Sequence, residues 1–212
     1  MFIYQRFLMF LAAAFLLAVA PGPGMLYVLA RTLAGGRREG VLSAIGTFLG
    51  GMVHVLAAAA GLSMILARSA MAFALVKYVG AGYLCYLGVL MIVESRKDEL
   101  TAGSQSSLTE LPRRSPLWQG VTTEILNPKT ALFFLSFIPQ FVNREAGHVF
   151  WQFLLLGSLS VALNTSADLI VTLLAGRIGN YIRSSAKFRR RQRTATGIIL
   201  FGLGAYLATS EK

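Results

Sequence analysis

Pro21-Gly22-Pro23-Gly24 interrupts the first long apolar run of this 212-residue chain, and Asn127-Pro128-Lys129-Thr130 interrupts the fourth. Proline inside a helix removes a hydrogen bond and clashes with the preceding turn, so each run reads as two half-helices. In hydrocarbon every backbone N–H and C=O must be satisfied. A broken helix survives there only against protein or a water-filled cavity. A soluble core helix has no use for such breaks, and a passive anchor keeps its helices whole. Breaks at corresponding places in two halves point to a substrate site near the membrane midplane. The chain therefore reads as a small-solute transporter.

Composition supports a membrane setting. Hydrophobic residues make up 55% of the chain and the mean hydropathy is +0.62, beyond ordinary soluble usage. Apolar windows long enough to cross a hydrocarbon core recur near 7–34, 41–67, 71–94, 117–140, 149–176 and 194–209. The expected fold class is all-α: one polytopic domain over 1–212 with six transmembrane helices, of which helices 1 and 4 are broken. Ala18-Val19-Ala20 resembles a signal-peptide cleavage site, but the apolar stretch resumes at Met25 and cleavage would delete one break, so the N-terminus is read as retained.

The formal charge of +11 is distributed as in a membrane protein rather than a nucleic-acid binder. Arg31, Arg37 and Arg38 follow span one, and Arg96, Lys97, Arg113 and Arg114 lie between spans three and four. Arg177, Arg183, Lys187, Arg189, Arg190, Arg191 and Arg193 separate spans five and six. These three connections hold fourteen of the twenty basic residues. By the positive-inside rule that side is cytoplasmic, which puts both termini in the periplasm. The 187–193 cluster is placed to meet anionic lipid headgroups.

The polar segment 95–116 reads as a cytoplasmic linker between repeat 1, about 1–94, and repeat 2, about 117–212. Three spans per half force the halves into opposite orientations. The Pro breaks match, Arg38-Glu39-Gly40 parallels Arg144-Glu145-Ala146-Gly147, and Lys77 with Gly88 parallels Arg193 with Gly204. The expectation is two inverted three-helix repeats.

Several residues offer transport chemistry. At each break the second half-helix starts with orphan N–H groups and a positive dipole end, which suits an α-carboxylate. Pro21, Gly22, Pro23, Gly24, Asn127 and Pro128 build these starts. Glu124 and Lys129 lie at depth in span four, where ionisable groups normally pair or face an aqueous cavity. Lys129 either holds a substrate carboxylate or neutralises Glu124 or Asp168. Asn164, Asp168 and Thr172 share one face of span five, and Asp168 can accept a substrate ammonium or carry a proton. His54 lies among Gly46, Gly50, Ala57, Ala58 and Gly61, a face suited to close helix packing; it is either a packed neutral imidazole or a proton carrier. Single Cys85 excludes an intrachain disulfide and a Cys-based metal cluster. No HExxH, GxSxG or Walker sequence occurs. Neither an enzyme nor a cofactor or metal site is expected. The competing readings are an accessory or scaffold subunit and a membrane enzyme acting on lipid or peptide.

The chain resembles the LysE/RhtB amino-acid exporters of bacteria over essentially its whole length. The resemblance rests on Pro21-Gly22-Pro23-Gly24, Gly46 through His54, and Lys77-Tyr78-Val79-Gly80-Ala81-Gly82-Tyr83-Leu84 with Leu87-Gly88. Asn127-Pro128-Lys129, Pro139-Gln140-Phe141 and Asp168 complete it. It implies export of amino acids or close derivatives across the inner membrane, driven by the proton motive force, with the homoserine/threonine branch most similar. Glu124 departs from the polar uncharged residue expected there and is a candidate specificity position. The substrate, the coupling stoichiometry and the oligomeric state, a homo-oligomer included, stay open.

Overall fold

The computed structural model describes residues 2–62, 70–97, 115–143, 145–184 and 186–209. Seven α-helices account for nearly all of them, with no strand among the described residues. These are α1 (Phe2–Val19), α2 (Pro23–Ala57), α3 (Ala70–Lys97), α4 (Pro116–Ile125), α5 (Pro128–Leu132), α6 (Val149–Ser184) and α7 (Ala186–Thr209). Two stretches, Pro23–Leu62 and Val149–Ala175, are long and apolar enough to cross a membrane. Large apolar side chains such as Phe15, Leu16, Leu56, Leu155, Leu173 and Ile198 stand about half exposed or more. A water-soluble protein would not leave such a surface uncovered; hydrocarbon is its natural solvent.

Both expected breaks are present. The first separates α1 from α2 at Ala20–Gly22, with Pro23 at the first turn of α2. The second separates α4 from α5 at Leu126–Asn127, with Pro128 at the first turn. After α5 the chain passes through a π turn, Phe133–Phe137, and a 3-10 turn, Ile138–Phe141. Pro139 explains the irregularity, since it brings no N–H to the ladder and the preceding turn must widen around it.

The structure moves several expected boundaries. Spans one and two have no loop between them: α2 runs from Pro23 to Ala57, interrupted only at Gly36 with φ 79° and ψ −176°. That left-handed φ costs a glycine little, and it turns the helix back on itself. In a straight helix Gly24 and Gly50 would lie about 39 Å apart. Instead both pack against the Glu124 side chain, so α2 is a helical hairpin. Helix α3 continues to Lys97, past the expected linker start. Helix α7 begins at Ala186, so the basic run 187–193 is helical rather than a loop. The linker between 98 and 114, with Arg113 and Arg114, lies outside the described residues, as do Arg68, Arg144 and Lys212.

Glycines set the packing. Gly46 and Gly120 face each other across α2 and α4, where a Cβ on Gly120 would come within 2.6 Å of the Ser43 carbonyl. Gly50 faces Val121 O and Glu124, so the second arm of α2 runs parallel to α4. Thr47 meets Asp168 and Val55 meets Gly157, so the same arm runs antiparallel to α6. Helices α3 and α7 form an antiparallel pair in which Gly88 lies against Gly197 and Phe201, and Gly204 against Ala81 and Cys85. Small residues allow this close backbone approach, the usual means of helix association in lipid.

Candidate functional site

The two breaks converge on one another. The Lys129 ammonium donates to the carbonyls of Leu17, at 2.9 Å, and Ala20, at 2.7 Å. These belong to the C-terminal end of α1, whose last carbonyls have no intrahelical partner. A methyl group at Gly22 would lie 3.0 Å from Lys129 Cδ, so the lysine chain passes in close contact with the first break. Gly24 in turn packs against the Glu124 carboxylate and the Asn127 amide. Pro21–Gly24 and Asn127–Lys129 thus form one neighbourhood, although more than a hundred residues of chain separate them.

At the second break Asn127 caps α5, its Oδ1 accepting from the Lys129 backbone N–H at 3.1 Å. Its Nδ2 donates to Glu124 Oε2 at 3.0 Å, while Thr130 Oγ1 donates to Glu124 Oε1 at 2.6 Å. Glu124 is 1% exposed, and its carboxyl, accepting on both oxygens, organises the start of α5. At this second half-helix the Lys129 N–H is taken by Asn127 Oδ1, and it is the side chains of Asn127 and Thr130, not backbone N–H groups, that hold Glu124. The Glu124 backbone carbonyl, at the end of α4, lies 3.0 Å from His54 Nε2. A carbonyl only accepts, so Nε2 carries a hydrogen, and the ring stacks on Phe134 with centroids 6.0 Å apart. His54 thus caps the C-terminus of α4 as Lys129 caps that of α1. At the first break the carbonyls of Leu17 and Ala20 take their donor from distant Lys129, while at the second the Glu124 carbonyl also accepts from the Asn127 N–H at 3.1 Å, so both breaks satisfy backbone groups as a broken helix in hydrocarbon requires.

Asp168 is fully buried on α6. Its Oδ2 lies 3.0 Å from Thr47 Oγ1, and its Oδ1 has no hydrogen-bond partner among the described residues. Thr172 Oγ1 returns its proton to the Asp168 carbonyl at 3.0 Å, as Ser160 and Thr165 do to theirs. These i−4 bonds let a polar stripe sit inside a long apolar helix.

Between the breaks and α6 lies a cavity lined by Lys129, Glu124, Thr130, Thr47, Asn164 and Thr165, with Leu17, Phe133, Phe134 and Val161 as apolar wall. Its volume is about 20 Å³, room for about one water. Two closures flank it. Toward the Gly36 turn, Arg31 pairs with Glu39 at 3.3 Å and with Gln119, while Tyr27 Oη donates to Pro116 O at 2.6 Å. Toward the other end, Phe10, Phe137 and Phe141 pack ring on ring.

Every site residue expected from sequence except Asp168 touches a break or lines this cavity, and Asp168 joins through Thr47. His54 stands behind the second break rather than at the cavity. Among the described residues Lys129 forms no ion pair with Glu124 or Asp168; the bonds it makes are to carbonyls. Sequence reading missed Thr47 and Thr130, whose hydroxyls hold the two buried carboxylates. It also read Arg31 only as a surface charge, whereas Arg31 is 5% exposed. The signal for Thr130 was available, since it closes the polar Asn127-Pro128-Lys129-Thr130 break six residues after Glu124.

A helical membrane protein whose two broken helices meet at a buried polar centre belongs to the transport class. The chain matches the LysE type translocator family over residues 15–211, and it belongs to that family. Its function is accordingly transport rather than catalysis. It is 31% identical over 205 residues to an uncharacterized membrane protein of Vibrio cholerae, covering 96% of this chain and 97% of that one. It is 35% identical to an uncharacterized membrane protein of Pseudomonas aeruginosa over 90% and 88% of the two chains. It is 29% identical to a leucine efflux protein of Klebsiella pneumoniae over 97% and 96%. No solved structure matches it.

Proposed function

We propose that this chain exports amino acids across the bacterial inner membrane by proton-coupled alternating access. The single observation that carries this reading is the cavity between the breaks, which brings Lys129, Glu124 and apolar walls together, with buried Asp168 one hydrogen bond behind its wall through Thr47. An ammonium has three protons and Lys129 uses two on α1 carbonyls; the third is available to a substrate carboxylate. Asn164 and the threonines suit the amino group, and Phe133, Phe134, Leu17 and Val161 suit an apolar side chain. That wall, with the leucine efflux relative, favours leucine-like substrates over homoserine or threonine.

Asp168 is the proposed proton carrier, for a geometric reason. Thr47 Oγ1 lies 3.0 Å from Ala44 O and 3.0 Å from Asp168 Oδ2. Thr47 is the donor in both contacts, which leaves Asp168 Oδ1 buried without a partner among the described residues, an oxygen on which a proton can be carried. Glu124, by contrast, receives donors on both oxygens and needs no proton. Glu124 and His54 are therefore assigned to holding the break. The Arg31–Glu39–Gln119 contacts and the aromatic cluster are the proposed gates, since the cavity between them is too small for an amino acid.

The proposed topology is six spans with both termini periplasmic. The packing senses described above are those that six alternating spans require. The inverted repeat has support in the α3–α7 pair: the 116-residue shift from Lys77 to Arg193 also carries Gly88 onto Gly204, Ala81 onto Gly197 and Cys85 onto Phe201. The contacts of Gly88 with Gly197 and Phe201 thereby become those of Gly204 with Ala81 and Cys85. A twofold relation between the halves produces that exchange.

The test is efflux from preloaded vesicles carrying the purified chain, with leucine and threonine in separate arms and a pH gradient imposed. Leucine efflux above that of protein-free vesicles, accelerated by the gradient, is the expected result. Transport of neither amino acid would refute the proposal.

A further inference from the structure

We propose that the groove between α3 and α7, at their arginine-bearing end, binds one anionic phospholipid. The groove has a volume of about 620 Å³ and is separate from the central cavity. Ile92 and Ser95 of α3 line it together with Arg190, Arg191, Thr194 and Ile198 of α7. Ser95 is 1% exposed, and its hydroxyl lies 2.7 Å from Ile92 O and 2.9 Å from Thr194 Oγ1. The hydroxyls are thus bonded within the helix pair and ask nothing of a ligand. The groove is an apolar trough with the exposed residues Arg190 and Arg191 bringing two positive charges to its side.

That combination selects one ligand chemistry. A soluble anion would satisfy the arginines and leave the trough in water. A zwitterionic lipid would fill the trough, but its own ammonium would oppose the two guanidiniums. A diacyl lipid with net negative charge satisfies both, its phosphate on Arg190 and Arg191 and an acyl chain along Ile92 and Ile198. Guanidinium forks bind phosphate oxygens in this way, and basic pockets between membrane helices are suited to anionic headgroups. Placement favours the same occupant. The arginines stand in the second turn of α7, six and seven residues before the Gly197–Gly88 contact, where a helix emerging from hydrocarbon passes the headgroup layer.

The experiment titrates the detergent-solubilised full chain with phosphatidylglycerol, with phosphatidylcholine and with inorganic phosphate, in separate arms. Native mass spectrometry counts bound lipid and a thermal melt reads stabilisation. The expected result is one phosphatidylglycerol held per chain in preference to phosphatidylcholine, with no shift from phosphate alone. Each basic side chain near an anionic surface contributes about fivefold, so R190A/R191A should weaken the binding about thirtyfold. I198W, which obstructs the trough and keeps both charges, should weaken it as well. R38A, which removes an exposed arginine outside the groove, should leave it unchanged. Equal loss in R38A, full binding in I198W, or a phosphate effect matching that of the lipid would each overturn the site. Should R190A/R191A fail to fold, R191Q and I198W carry the same test.

Discussion

Asn127 joins the two functions of the second break, and its replacement separates them. Asn127→Ala removes the cap on the Lys129 N–H, a loss of about 1 kcal/mol. It also removes the donor to Glu124 Oε2, and a hydrogen bond to a buried charged group contributes about 1.5–3 kcal/mol. Together the cost is about 3 kcal/mol, or roughly 6–12 °C in Tm for a chain of this size. Asn127→Asp keeps the cap, because aspartate caps as well as asparagine, yet it sets a second carboxylate about 3 Å from Glu124 where an amide donor stood. It should be at least as destabilising as Asn127→Ala. Glu124→Gln in the Asn127→Asp background restores a donor–acceptor pair and should recover more than half of the loss. Thermal melts of the four proteins in one detergent complete a double-mutant cycle. If Asn127→Asp melts with wild type, Asn127 acts on the α5 N–H alone and Glu124 is not the anion that organises the break.

Asp168→Asn should preserve the fold, because the amide keeps the shape and its oxygen still accepts from Thr47. It should abolish acceleration by a pH gradient in vesicles while counterflow persists; gradient-driven efflux at the wild-type rate would make Asp168 structural. Single cysteines in a Cys85→Ser background should label at position 105 only after permeabilisation and at position 148 in intact cells, and the reverse pattern would invert the topology. Gly88→Leu should cost more than about 3 kcal/mol, since a Cβ there lies 2.6 Å from Gly197 O and backbone cannot yield; a melt within a few degrees of wild type would disprove the close α3–α7 contact. Lys129→Met leaves two buried α1 carbonyls without their donor and should abolish leucine efflux while membrane insertion, read by fractionation, continues; retained efflux would remove the ammonium from substrate recognition.

Much of this protein is decided locally. Apolar runs of spanning length, prolines that cannot continue a helix, and arginines that stay on one side of a membrane act through composition and near neighbours. Helical class, both breaks and the polar stripe at Asn164, Asp168 and Thr172 are therefore visible in the bare sequence, as is the LysE resemblance. The partners of the charged groups are not. Lys129 reaches Leu17 and Ala20 across 112 and 109 residues, and Thr47 reaches Asp168 across 121. A sequence shows that buried ions need partners, but backbone carbonyls are present at every position and leave no mark by which Lys129's could be foreseen. The reversal at Gly36 falls where the sequence put the connection between spans one and two; what escaped is that a single left-handed glycine makes it with helix on both sides and no loop. Tertiary packing alone decided which carbonyls Lys129 meets, and which buried carboxyl, that of Asp168, keeps an oxygen without a partner among the described residues.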